Sequence, residues 1–80
     1  MVKDYIGRTV RLLRSLETQG GTKFAAGEVL RVSSVHRGRL ALVDDSSIRL
    51  EEGRLRVRTI TKVSPLAVEL LPEEQTKDPR

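Results

Sequence analysis

Apolar and polar positions alternate in short runs along this chain. The clearest run is residues 54–59, with Arg54, Arg56 and Arg58 on one side of a strand and Leu55, Val57 and Thr59 on the other. Residues 27–39 read G-E-V-L-R-V-S-S-V-H-R-G-R, and Leu40, Ala41, Leu42 and Val43 follow. This is the pattern of a strand, a tight turn and a returning strand, because Gly38 accepts positive φ without steric conflict. Val35 stands three places beyond Val32 rather than two. One extra residue near Ser33 and Ser34 restores the inward phase, so a β-bulge is expected there. Asp44, Asp45, Ser46 and Ser47 have the composition of a turn, since short polar side chains bond to nearby backbone. Ile48, Arg49 and Leu50 alternate, and Glu51, Glu52 and Gly53 form the next turn. Ile60, Val63, Val68 and Leu70 supply the last apolar positions. Pro65 interrupts them, so residues 64–67 should make a turn or a short tight helix before a final strand that Pro72 stops.

The first part of the chain admits two readings. Val10 and Leu12 alternate with Arg11 and Leu13, as in a strand over residues 9–14. Val2, Tyr5, Ile6, Val10, Leu13 and Leu16 also fall three or four apart, as on a helix. Gly7 within that stripe costs about 1 kcal/mol relative to alanine, and Thr9 and Val10 are indifferent helix formers. The strand is preferred because the remaining strands need a partner. Residues 15–26 read as a loop around Gly20 and Gly21, with Phe24 either folding back as a lid on the core or lining a ligand groove. Five short strands separated by turns predict an all-β fold, a small barrel or partly open roll with a short helical turn before the last strand. The expected domain is 1–72. Residues 73–80 have no apolar side chain and are expected to be a disordered tail.

Composition narrows the function classes. Eighty residues suit one small domain with a thin core. With no cysteine and one histidine, neither a disulfide framework nor a thiolate metal site is expected, and no cofactor is indicated. No apolar run approaches the ~20 residues that cross a bilayer, and no signal-peptide block opens the chain, so a cytoplasmic protein with no membrane role is expected. The net charge is +4, with eleven arginines and four lysines. Residues 73–80 contribute two bases and three acids, which leaves 1–72 at about +5 and favours anionic partners.

The order G-x-x-V-R-L at residues 7–12, a glycine-bearing loop, F-A-A-G-E-V at 24–29, then R-V-x-x-V and a glycine turn resembles the SH3-like barrels. It looks most like the accessory group that includes the nitrile hydratase β-subunit domain, the ferredoxin–thioredoxin reductase variable chain and the small photosystem I barrel subunit. The closing I-x-x-V-S-P-x-x-V-E-L of residues 60–70 is similar to the end of such a barrel. The resemblance implies a five-stranded SH3-like barrel that docks onto another protein, such as an enzyme, redox or regulatory subunit, and supplies no catalytic residue. One Tyr, one Phe and no Trp cannot line the aromatic groove of a proline-peptide reader.

Candidate site residues follow. Arg54, Arg56 and Arg58, joined by Arg37 and Arg39 at a hairpin tip and by Arg31, would form a basic patch for an acidic protein surface or for phosphates. The plainer reading is a solvated face neutralised by Glu28, Glu51 and Glu52. Tyr5, Leu13 and Phe24 are candidates for an apolar docking surface, and core satellites are the alternative for them. His36 has arginine neighbours and no nucleophile beside it, so no catalytic role is assigned. The pairs Asp44–Asp45 and Glu51–Glu52 lie in turns and lack calcium-loop spacing. Gly20, Gly21, Thr22 and Lys23 lack the strand and helix that aim a phosphate loop. The expectation is a non-catalytic protein-interaction module, an accessory or regulatory subunit, with a DNA- or RNA-binding barrel as the alternative. Oligomeric state is left open.

Overall fold

The computed structural model describes residues 2–72; the expected tail at 73–80 lies outside them. A 3-10 turn (Val2–Tyr5) leads into β1 (Thr9–Leu12), then β2 (Leu16–Glu17), β3 (Lys23–Phe24), β4 (Val29–His36), β5 (Arg39–Glu51) and β6 (Arg54–Val63). A second 3-10 turn (Pro65–Ala67) precedes β7 (Val68–Leu70). The fold is all-β. Five antiparallel strands form one sheet in the order β6-β5-β4-β1-β7, and β2 pairs with β3 as a separate small hairpin. No ladder joins β6 to β7 among the described residues, so both remain edges, connected by the turn at Pro65.

Residues 9–12 take the strand. Gly7 adopts φ +82, which ends the first turn, and its N–H donates to Val32 O at 2.8 Å. Val32 N–H donates to Arg8 O at 2.9 Å, so the β1–β4 ladder starts directly after the glycine. Val10 and Leu12 point into the core while Ile6 and Leu13, members of the helical stripe, are exposed.

The loop expected at 15–26 contains structure that alternation does not reveal. Leu16 pairs with Phe24 and Glu17 with Lys23, and Gly20 and Gly21 lie in the turn between them. Thr18 closes that turn: its N–H donates to Thr22 O, its carbonyl accepts from Gly21 N–H, and its hydroxyl accepts from Thr22 N–H. The hairpin carries Phe24 into the core, where it is fully buried beside Val10, Leu12, Val32, Leu40 and Leu42.

Three irregularities shape the main sheet; the smallest sets three steps of β6, Ile60 to Val63, against two of β5, Leu42 to Leu40, and the other two bear on the site. The β4–β5 register slips between Val32 and Ser34, so Ser33 is the surplus residue of the expected bulge, and Val32 and Val35 both pack inward. The second corrects the expected turn at residues 44–47. Asp44 pairs with Arg58 but Arg49 pairs with Arg56, so β5 takes five steps where β6 takes two. The surplus is folded out as a wide bulge within a continuous thirteen-residue strand. Its polar side chains hold it: Asp44 Oδ1 accepts from Ser46 N–H at 3.1 Å and Ser46 Oγ at 2.6 Å. Ser47 Oγ donates to Asp44 O and accepts from Arg58 N–H. The local bonding expected of the composition is present; the chain continues forward instead of reversing.

Candidate functional site

The six arginines of the expected patch do not share a surface. Arg58 points into the structure rather than out. Its Nη2 lies 2.7 Å from Asp44 Oδ2 and 2.6 Å from Glu28 Oε1, its Nη1 donates to Lys23 O, and its guanidinium sits 4.5 Å from the Phe24 ring centroid. One half-buried side chain thus ties β6 to β5, to β3 and to the approach of β4. Asp44, the one buried charged residue among those described, is held below the usual carboxylate range by the Ser46 hydroxyl and then by Arg58. Arg31 makes a two-pronged pair with Asp45, at 2.7 and 2.9 Å, which likewise lowers the Asp45 carboxyl. Arg31 and Arg58 are therefore occupied.

The other four divide between the two ends of β5. Arg37 and Arg39 flank the first hairpin turn, in which Arg37 and Gly38 adopt φ +53 and +77. Arg54 and Arg56 follow the second, where Glu52 and Gly53 adopt φ +50 and +76. A strand rises about 3.3 Å per residue, so twelve steps separate the ends of β5 by roughly 30–40 Å once the bulge is allowed for. Spacing along β6 alone cannot show that separation. His36 is exposed near the first turn, beside a cavity of about 370 Å³ also lined by Arg37, Arg39 and Lys62 but by no carboxylate.

A different surface emerges at the far end. Beyond the Asp44–Arg58 pair, β5 and β6 run on as a two-stranded ribbon with the pairs Arg49–Arg56, Leu50–Leu55 and Glu51–Arg54. Directly opposed residues share a face, and faces alternate along each strand. Leu50 and Leu55, with Ile48 and Val57 two residues further along, therefore make one apolar face. Their exposures are 70%, 72%, 51% and 38%. The opposite face carries Arg49, Arg54 and Arg56 around Glu51, with Arg49 Nε 2.7 Å and Arg56 Nε 3.7 Å from its carboxylate. Along β6 the buried Ile60 and the inward-pointing Arg58 are even-numbered, so Leu55 and Val57 lie on the side turned away from the core, and no described element covers that side of the ribbon.

The apolar docking group expected from Tyr5, Leu13 and Phe24 is not assembled. Phe24 is fully buried and offers no surface, and Tyr5 packs against the core. Leu13 is exposed, as are Ile6, Val29 and Leu66 elsewhere. Scattered exposed aliphatic side chains are ordinary; four gathered on one ribbon face are not. Among the described residues no three His, Asp or Glu side chains gather to hold a metal ion, and no helix is long and apolar enough to cross a membrane. No family model, curated protein or solved structure matches the chain.

Proposed function

We propose that this chain is a non-catalytic docking module, a small accessory or regulatory subunit that engages another protein through the β5–β6 ribbon. The observation that carries this reading is the exposed quartet Ile48, Leu50, Leu55 and Val57. Covering it removes roughly 10 kcal/mol worth of apolar surface from water, before the entropic cost of association. An apolar centre beside arginines suits a protein interface, where aliphatic anchors are rimmed by polar groups. The reading as a DNA- or RNA-binding barrel loses its continuous strip, because Arg31 and Arg58 are neutralised by Asp45, Asp44 and Glu28 and the remaining arginines stand at opposite ends of β5.

Photo-crosslinking in the producing cell tests the reading. A light-activated residue in place of Leu55 is expected to yield a discrete protein adduct, absent when the same residue replaces Glu69 on β7. Equal or no labelling from the two positions would remove the docking role of the ribbon.

A further inference from the structure

We infer that the partner engages the ribbon by adding a β-strand along the free edge of β6, using an extended segment that alternates acidic and apolar residues. This rests on the docking reading above and specifies the partner's chemistry.

The edge is available. β6 ends the sheet order, with β5 on one side only. The two-residue turn at Glu52 and Gly53 has positive φ at both positions, so Glu51 and Arg54 are the hydrogen-bonded closing pair. Antiparallel alternation then turns the amide and carbonyl of Leu55 and Val57 outward. A groove of about 820 Å³ lies over this stretch, lined by Leu55, Arg56 and Val57 of β6, by Ile48 and Arg49 of β5, and by Thr22 and the bulge residues Ser46 and Ser47.

The two ribbon faces specify the added strand. Successive side chains of a strand point to opposite faces. Every second residue of the newcomer therefore lies beside Leu55 and Val57, and the residues between lie beside Arg54 and Arg56. Arg54 has no ion-pair partner among the described residues, and Arg56 has only the 3.7 Å contact with Glu51, which already holds Arg49 at 2.7 Å. Carboxylates on the newcomer complete that face.

A second copy of the chain fits poorly. Antiparallel pairing of two β6 edges keeps apolar with apolar only when even-numbered residues oppose even-numbered ones, and Arg54, Arg56 and Arg58 are the even positions. Every in-phase register thus sets arginine against arginine. Stacking two ribbons by their apolar faces avoids the clash but buries roughly 800 Å² in total, short of the ~1,200 Å² at which stable specific interfaces begin.

The test uses the full chain, isotope-labelled, titrated with capped nine-residue peptides. One alternates glutamate and valine; a second has lysine for each glutamate; a third and a fourth are the glutamate peptide N-methylated at every valine or at every glutamate, so that each blocks one edge. The glutamate peptide is expected to shift and protect the Leu55 and Val57 amides, leaving Val10 and Leu42 unmoved. It should bind about ten-fold or more tightly than the lysine peptide, and N-methylation on the bonding edge should abolish binding. The double variant Arg54→Glu, Arg56→Glu should reverse the preference, and Arg54→Gln, Arg56→Gln should erase it without adding like charge beside Glu51. Equal binding of the glutamate and lysine peptides would overturn the acidic assignment. Undiminished binding of both N-methylated registers, or no response at β6 to any peptide, would overturn the added strand. None of these failures touches the Leu55 crosslink, which judges the docking reading separately.

Discussion

Arg58 presents its guanidinium to two carboxylates, one backbone carbonyl and one aromatic face at once. Only a planar fork with several donors serves all four, and lysine cannot. Arg58→Ala leaves the buried Asp44 carboxylate without its cation and uncovers the Phe24 ring. The expected loss in urea unfolding is about 2–3 kcal/mol, and Arg58→Lys should recover less than half. Arg56→Ala, on the exposed ribbon, should stay within about 0.5 kcal/mol. Asp44 also makes stability respond to acid. Its folded-state pKa lies below the ordinary 3.8, so the stabilisation is complete above that value and is lost as pH falls through the folded value. Asp45 contributes with the same sign. Unfolding measured from pH 5 to pH 2 should therefore show a steep decline that is shallower in Asp44→Asn; an unchanged slope would exclude Asp44 as its source.

At the scale of elements, the sequence was most readable where side chains alternate over four or more residues. β1, the Ser33 bulge in β4, and the turns at Gly38 and Gly53 all lie where periodicity or a glycine is explicit. The β2–β3 hairpin was hidden because each strand has two residues, too few to show a period, and only Gly20 and Gly21 mark it. The bulge at residues 44–47 was hidden for another reason: Asp and Ser bond to adjacent backbone equally well in a reversal and in a bulge. The candidate surface was legible only as a pattern, since Leu55 and Val57 announce a face without saying whether anything covers it. Ribbon and core should consequently respond differently to substitution. Leu50→Ser and Leu55→Ser should each change stability by less than about 0.5 kcal/mol, whereas Leu42→Ala should cost about 2–5 kcal/mol. A large loss from either ribbon variant would make the ribbon structural.

Over the whole molecule, the sheet is divided into two regions of unequal support. Residues up to Asp44 on β5 and from Arg58 onward on β6 rest on the core centred on Phe24, Leu40 and Leu42, while the ribbon beyond them rests on cross-strand pairs alone. Amide hydrogen exchange should reproduce that division, with Arg49 and Arg56 opening well before Val32 and Leu42 because local opening of the ribbon exposes no core. Uniform protection across both regions would contradict it. The same arrangement bears on how the chain behaves when alone. A long unpaired edge with an oily side is the usual template for uncontrolled strand-by-strand growth, and rows of guanidinium groups are a recognised brake upon it. Arg54 and Arg56 are thus placed as insulation between neighbouring molecules, so shielding or removing their charge is expected to let copies of the chain stack upon one another.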